Sequence, residues 1–193
     1  VFAPHFNHRF NPEEEIARPL WVDVYLQGRD PLPKTPRAKW ALSTPSGIPQ
    51  FKVMPDPKLT VAKVSVFYSE DGDPRSRFFR DARATETGKG TWEAHLPKLD
   101  LEAPLFAFAH VYYDLPKPEP LSRNRTVEQF CLSSNLLVAK PDELKKAKVK
   151  ATAKPSLLID DFKRGFHDWY SLNKNHQSLW QHWTRKITDS MYR

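Results

Sequence analysis

Eighteen prolines against six glycines constrain this chain more than any other feature. Proline lacks a backbone donor and fixes φ, so it interrupts helices and is excluded from the interior of sheets. Spread over 193 residues, it argues against long unbroken helices and for short strands joined by proline-marked turns. The apolar pattern agrees. Segments 39–43 (KWALS), 50–54 (QFKVM), 59–68 (LTVAKVSVFY), 77–85 (RFFRDARAT), 91–96 (TWEAHL), 105–113 (LFAFAHVYY) and 126–133 (TVEQFCLS) each read as a strand. Phe51 and Val53 fall on one side, as do Val64, Val66 and Tyr68. The run 105–113 is the most apolar and is expected at the centre of a sheet. About seven strands at a spacing near ten residues predict an antiparallel β-sandwich of immunoglobulin or fibronectin type.

One helix is expected ahead of the strands, over 11–28. Asn11 can cap it, Pro12 suits its first position, and Glu14 completes a capping box. Glu13, Glu14 and Glu15 place negative charge at the positive end of the helix dipole. Pro19 should kink or restart the helix, and Gly28 should stop it. Ile16, Leu20 and Val24, joined by Ala17, Trp21 and Tyr25, give it a broad apolar face that needs a partner surface.

The formal charge is +7, and part of the excess is local: Lys140, Lys145, Lys146, Lys148, Lys150 and Lys154 share one segment. Single-stranded nucleic acid is held by basic grooves interleaved with aromatic side chains. That segment has no aromatic residue, so a solvated helix face or linker is expected and nucleic acid is not a predicted partner. Cys131 is the single cysteine, which excludes an internal disulfide and a cysteine-based zinc site. No apolar run approaches the roughly 20 residues of a membrane span.

The stretch FNHRFNPEEEIARPLWVDVYLQGRDPLPKTP is similar to the C-terminal end of the α/β-hydrolase core in secreted esterase-like proteins of the dienelactone-hydrolase and acetyl-esterase type. The exit from its helix is carried by Leu26, Gly28, Leu32 and Pro33. FYSEDGDPRSRFFRDA (67–82), TWEAHLP (91–97) and PLFAFAHVYYDL (104–115) resemble the C-terminal β-domain of PhoPQ-activated pathogenicity-related proteins. The resemblance covers roughly 1–135. It implies that His8 is the catalytic base, with His5 the weaker candidate, and that the setting is secreted or periplasmic. No G-x-S-x-G occurs in the chain, so the nucleophile elbow, the parallel strands and the acid would belong to an upstream hydrolase domain or subunit. A base without a nucleophile performs no acyl transfer, and hydrolysis by the isolated chain is not expected.

SLLIDDFKRGFHDWYSLN (156–173) resembles the first strand and turn of galactose-binding-like sandwich modules. The resemblance implies a structural Ca²⁺ near Asp160 and Asp161. The plainer reading is a pair of turn acids, because adjacent carboxylates on a strand point to opposite faces. Trp169, Trp180 and Trp183 could stack on sugar rings and make the chain a carbohydrate-binding module. Their plainer role is packing, as it is for His167, His176 and His182. In SEDGDPRS, Glu70, Asp71 and Asp73 surround Gly72; a calcium loop would need a distal glutamate, so a turn is expected there. The arginines at 75, 77, 80 and 83 are expected in cross-strand ion pairs.

Four segments follow. Residues 1–37 read as the last loop, helix and linker of a hydrolase-like domain, and 38–138 as the sandwich. Residues 139–155 read as a lysine-rich linker, and 156–193 as an incomplete second β-module.

Overall fold

The computed structural model describes residues 10–74, 77–88, 90–122 and 124–152. The chain divides into two units, Val1–Ala153 and Lys154–Arg193; the described residues all lie in the first.

Two antiparallel sheets make a β-sandwich, as the strand pattern predicts. One sheet contains β1 (Arg37–Ala41), β2 (Gln50–Met54), β6 (Thr91–His95) and β5 (Ala84–Gly88), in that order. The other runs β4 (Arg80–Ala82), β3 (Val61–Ser69), β7 (Leu105–Ser122), β8 (Arg125–Ser133), and β9 (Leu137–Ala139) also pairs with β7. The alternating residues meet between the sheets. Phe51 and Val53 face Val64, Val66 and Tyr68 of the opposite sheet, with Ala107, Ala109, Val111, Tyr113 and Phe130 in the same buried cluster. Tyr113 stacks on Phe130 at 5.5 Å between centroids, and its hydroxyl accepts the Asp56 N–H at 3.1 Å.

The segment expected as one strand over 77–85 is two. β4 pairs Ala82 with Val66, whereas β5 pairs Ala84 with Ala94 in the other sheet. The chain thus changes sheets at Arg83, turning a corner of the sandwich between two small alanines.

β7 runs well beyond the expected end at Tyr113, through Pro116, Pro118 and Pro120. The proline rule applies only where both edges of a strand are paired. β3 accompanies β7 only as far as Tyr113. Beyond it β7 pairs with β8 alone, in a two-stranded ribbon with a register shift between Asp114 and Glu119. The three prolines are exposed there. On the same side of β7, Ser134 joins β8 to β9. Its N–H donates to the Ala109 carbonyl at 2.8 Å, and its Oγ accepts the Ala109 N–H at 2.9 Å. A side chain thereby completes the ladder where the strand breaks.

The N-terminal helix starts as expected and breaks earlier than Pro19. α1 spans Pro12–Glu15 and α2 spans Ala17–Gln27, with Ile16 between them. Pro19 cannot donate to the Glu15 carbonyl and its ring crowds that group, so the break falls one turn upstream of the proline. Gly28 ends α2 in the left-handed region at φ 71°, where glycine carries no Cβ penalty.

The lysine-rich segment contains α3 (Pro141–Lys146), capped at Lys140 rather than at Asp142. The Lys140 N–H donates to Glu143 Oε2 at 2.7 Å. Leu144 is fully buried and Val149 nearly so, while Lys140, Lys145, Lys146, Lys148 and Lys150 are exposed. The lysines are a solvated face, and the two aliphatic residues secure the segment to the sandwich.

Candidate functional site

The residues named from the sequence as candidate base (His8), sugar platform (Trp169, Trp180 and Trp183) and calcium ligands (Asp160 and Asp161) lie outside the described residues. Among the described residues, no group of three or more His, Cys, Asp or Glu side chains is placed to hold a metal ion. No helix among them is long and apolar enough to cross a membrane.

In the described part of SEDGDPRS, residues 69–74, the chain leaves β3 and turns, and several polar groups find partners within it. Asp71 accepts the Asp73 N–H at 3.0 Å, and the Arg77 guanidinium donates to the carbonyls of Asp71 (2.8 Å) and Gly72 (3.1 Å). The same guanidinium lies 3.6 Å over the Phe106 ring. Glu70 turns inward. Its carboxylate accepts from Lys98 Nζ at 3.1 Å, Arg80 at 3.1 Å, and the backbone N–H groups of Leu99 and Asp100 at 3.0 and 2.9 Å. Of the four arginines expected in ion pairs, Arg80 makes one with Glu70, Arg77 donates to carbonyls, and Arg75 lies outside the described residues. The Glu70 carboxylate, Asp71 Oδ1 and the Asp71 and Gly72 carbonyls thus accept from N–H donors.

A second polar constellation joins the N-terminal helix to the outer face of the β3–β7–β8 sheet. β7 presents Phe108, His110 and Tyr112 on that face, flanked by Phe67 of β3 and Cys131 of β8. The imidazole of His110 is packed against three rings, with centroids at 5.0 Å from Phe67, 5.3 Å from Phe108 and 6.1 Å from Tyr112. α1 lies over this face. Glu14 Oε1 stands 3.4 Å from His110 Nδ1, and the two side chains are 1% and 0% exposed. The other oxygen, Oε2, accepts the Asn11 N–H at 3.2 Å, while Asn11 Oδ1 accepts the Glu14 N–H at 2.9 Å. The capping box predicted from N-P-E-E is thus complete, and one of its members reaches the sheet.

Electrostatics keep this region uncharged wherever a charge would lack a partner. Burial raises the Tyr112 hydroxyl well above its ordinary value, and the negative charge of Glu14 adds to the effect. Burial likewise raises the Cys131 thiol, again with Glu14 contributing. A buried thiol held protonated is no nucleophile. Ser133 is the cross-strand neighbour of His110, so a carboxylate, an imidazole and a hydroxyl belong to one small region. Complete burial of the imidazole leaves no room for a substrate at its nitrogens, and catalysis needs that contact. The arrangement can position a backbone segment; it cannot turn over an ester.

His110 had one signal in the sequence: an imidazole at an aromatic position of an alternating strand, within LFAFAHVYY. Its partner Glu14 was visible only as half of a capping box. No protein-family model, curated protein or solved structure matches the chain.

Proposed function

We propose that the chain is the C-terminal accessory region of an esterase-type α/β-hydrolase of secreted or periplasmic setting. In this reading His8 is the base and a preceding domain supplies the serine and the acid. The observation that supports it is the two-sided helix. Ile16, Ala17 and Leu20 are buried against the sandwich, while Trp21, Tyr25 and Leu26 stay 52%, 66% and 74% exposed. Trp21 and Tyr25 lie against each other at 4.8 Å between centroids. A helix with apolar groups on both sides suits a joint between two domains, because an exposed cluster of large apolar side chains favours a further packing partner.

The test is the reading frame ahead of residue 1. A G-x-S-x-G is expected within about 200 residues, the scale of one domain; its absence there would overturn the reading. The purified 193-residue chain should hydrolyse p-nitrophenyl acetate no faster than free imidazole at matched concentration. A sugar platform at Trp169, Trp180 and Trp183 is the competing function. A saturable change in tryptophan fluorescence on titrating xylan or pectin, lost in Trp180→Ala, would favour it.

A further inference from the structure

We propose that the edge strand β1 is a docking site for an extended acidic peptide, which adds to the β1–β2–β6–β5 sheet as a further strand. A strand at the edge of a sheet turns every second N–H and C=O outward, and an incoming extended chain can pair with them. Among the described residues β1 is the edge best suited to this. Its five residues pair with β2 from Arg37↔Met54 to Ala41↔Gln50 without a shift of register. None of the five is proline, so each has an N–H to offer. The other strands at the margins are shorter or less regular. β4 and β9 have three residues each. The pairing of β5 shifts between Glu86 and Gly88, and that of β8 shifts twice along β7.

The side chains set the sign of the partner. Arg37 and Lys39 are exposed on the outer face, while Ala38 and Trp40 alternate with them and pack against the core. Lys39 stands directly across from Lys52 of β2, and like charges in that position are unfavourable. Glu93 of β6, next along the same row, is already engaged by Lys52 and by Gln50 Nε2, the latter at 2.6 Å. Among the described residues neither Arg37 nor Lys39 is in an ion pair. A strand laid beside β1 would bring its own outward side chains within about 5 Å of these two cations, where carboxylates relieve the repulsion. Its inward side chains would meet the half-buried Trp40, where apolar groups fit. The matching peptide therefore alternates acidic and apolar residues. A second copy of this chain fits poorly, because antiparallel pairing of β1 with β1 gathers Arg37 and Lys39 of both copies on one face. The site does not depend on the role given to His8.

The experiment uses the full 193-residue chain and a fluorescein-labelled Glu-Val-Glu-Val-Glu-Val peptide, followed by anisotropy at low ionic strength, where screening is weakest. Saturable binding is expected, with none to the Lys-Val counterpart. Arg37→Glu with Lys39→Glu should weaken the acidic peptide about tenfold or more and make the Lys-Val peptide the better ligand. This variant replaces the Lys39–Lys52 repulsion by attraction, so its thermal midpoint should not fall. Saturation with the acidic peptide should also slow amide exchange at alternate residues of β1, which a purely electrostatic contact would leave unchanged. Wild-type affinity in the charge-reversed variant, or unaltered exchange throughout 37–41, would overturn the proposal. Protection of those amides that rises with protein concentration in the absence of peptide would assign the edge to a second copy, and tighter binding of oligothymidylate at the same residues would assign it to nucleic acid. Either result would also overturn it.

Discussion

Lys98 is fully buried, and its ammonium is 3.1 Å from Glu70, whose side chain is 11% exposed. Taking two charges out of water is unfavourable, and their attraction recovers it only when further hydrogen bonds complete the geometry. Glu70 meets that condition with the Leu99 and Asp100 N–H groups and Arg80. Burial acts to raise its pKa, but the Asp100 and Leu99 N–H groups and Lys98 outweigh it and hold the carboxyl below its ordinary value of 4.5. A lowered pKa means that this contribution to stability is present above about pH 4.5 and is lost as pH falls through the folded-state value. Glu70→Gln leaves Lys98 buried without a counter-charge and should cost about 3–5 kcal/mol, read from urea unfolding at pH 7. Glu70→Gln with Lys98→Met should recover most of that loss. The single variant should also have a flatter stability profile between pH 3 and 5 than wild type. Tyr113 titrates at the other extreme. Burial, only partly opposed by the Asp56 N–H, pushes it up to about 12. Its contribution is complete below the unfolded value near 10 and disappears as pH rises through 12. Absorbance at 295 nm should therefore show at least two tyrosines that ionise late, Tyr112 and Tyr113.

At the scale of elements, the turns carry the most local information. Gly47 and Gly28 both have positive φ, 76° and 71°, yet they differ in surroundings. A Cβ at Gly28 would meet nothing within 4 Å, whereas at Gly47 it would fall 2.7 Å from Lys150 Cγ. Gly28→Ala should cost about 1–2 kcal/mol from backbone strain alone. Gly47→Ala should cost more, because the Lys150 N–H donates to the Gly47 carbonyl at 2.9 Å and the segment behind α3 would have to move. Lys148 presents the reverse case, a non-glycine residue at φ 58° just past α3. Lys148→Gly should raise stability by about 0.5–1 kcal/mol, the relief of left-handed strain less the entropy of the added glycine. Denaturant midpoints of the three variants check both the ranking and the signs. The elements also show where local reading stops. The strand positions were legible because an alternating pattern reports one buried face. The switch of sheets at Arg83 was not, since Ala82 and Ala84 are both small and give no sign of which sheet each joins. The extension of β7 was hidden because proline is forbidden only where a second neighbour needs its N–H, and neighbours are set by topology.

Over the whole molecule, two surfaces among the described residues bear on association in solution. β1, at the edge of its sheet among the described residues, carries Arg37 and Lys39, charges of the kind that discourage strand-to-strand association. The α2 surface has no such protection, with Trp21, Tyr25 and Leu26 exposed together. Trp21→Ser, Tyr25→Ser and Leu26→Ser in one variant should reduce self-association in sedimentation velocity and shift the thermal midpoint little, because these side chains contribute little buried area within the fold. Arg37→Val with Lys39→Val should act in the opposite direction and promote aggregation.

The sequence by itself determined the class of fold, most of the strand positions, the capped start of the helix and the exclusion of an internal disulfide. Each depends on a local quantity: alternation, proline's missing donor, a side chain within reach of its own backbone. Only the tertiary structure decided which sheet each strand joins and that Leu144 and Val149 bind the lysine-rich segment to the core. It alone brought Glu14 of the cap to His110 of β7. That pairing joins residues far apart in the chain, and nothing in either neighbourhood encodes the other. Burial of a charged group is favourable only once its partner is in place, so such contacts exist as a property of the folded whole.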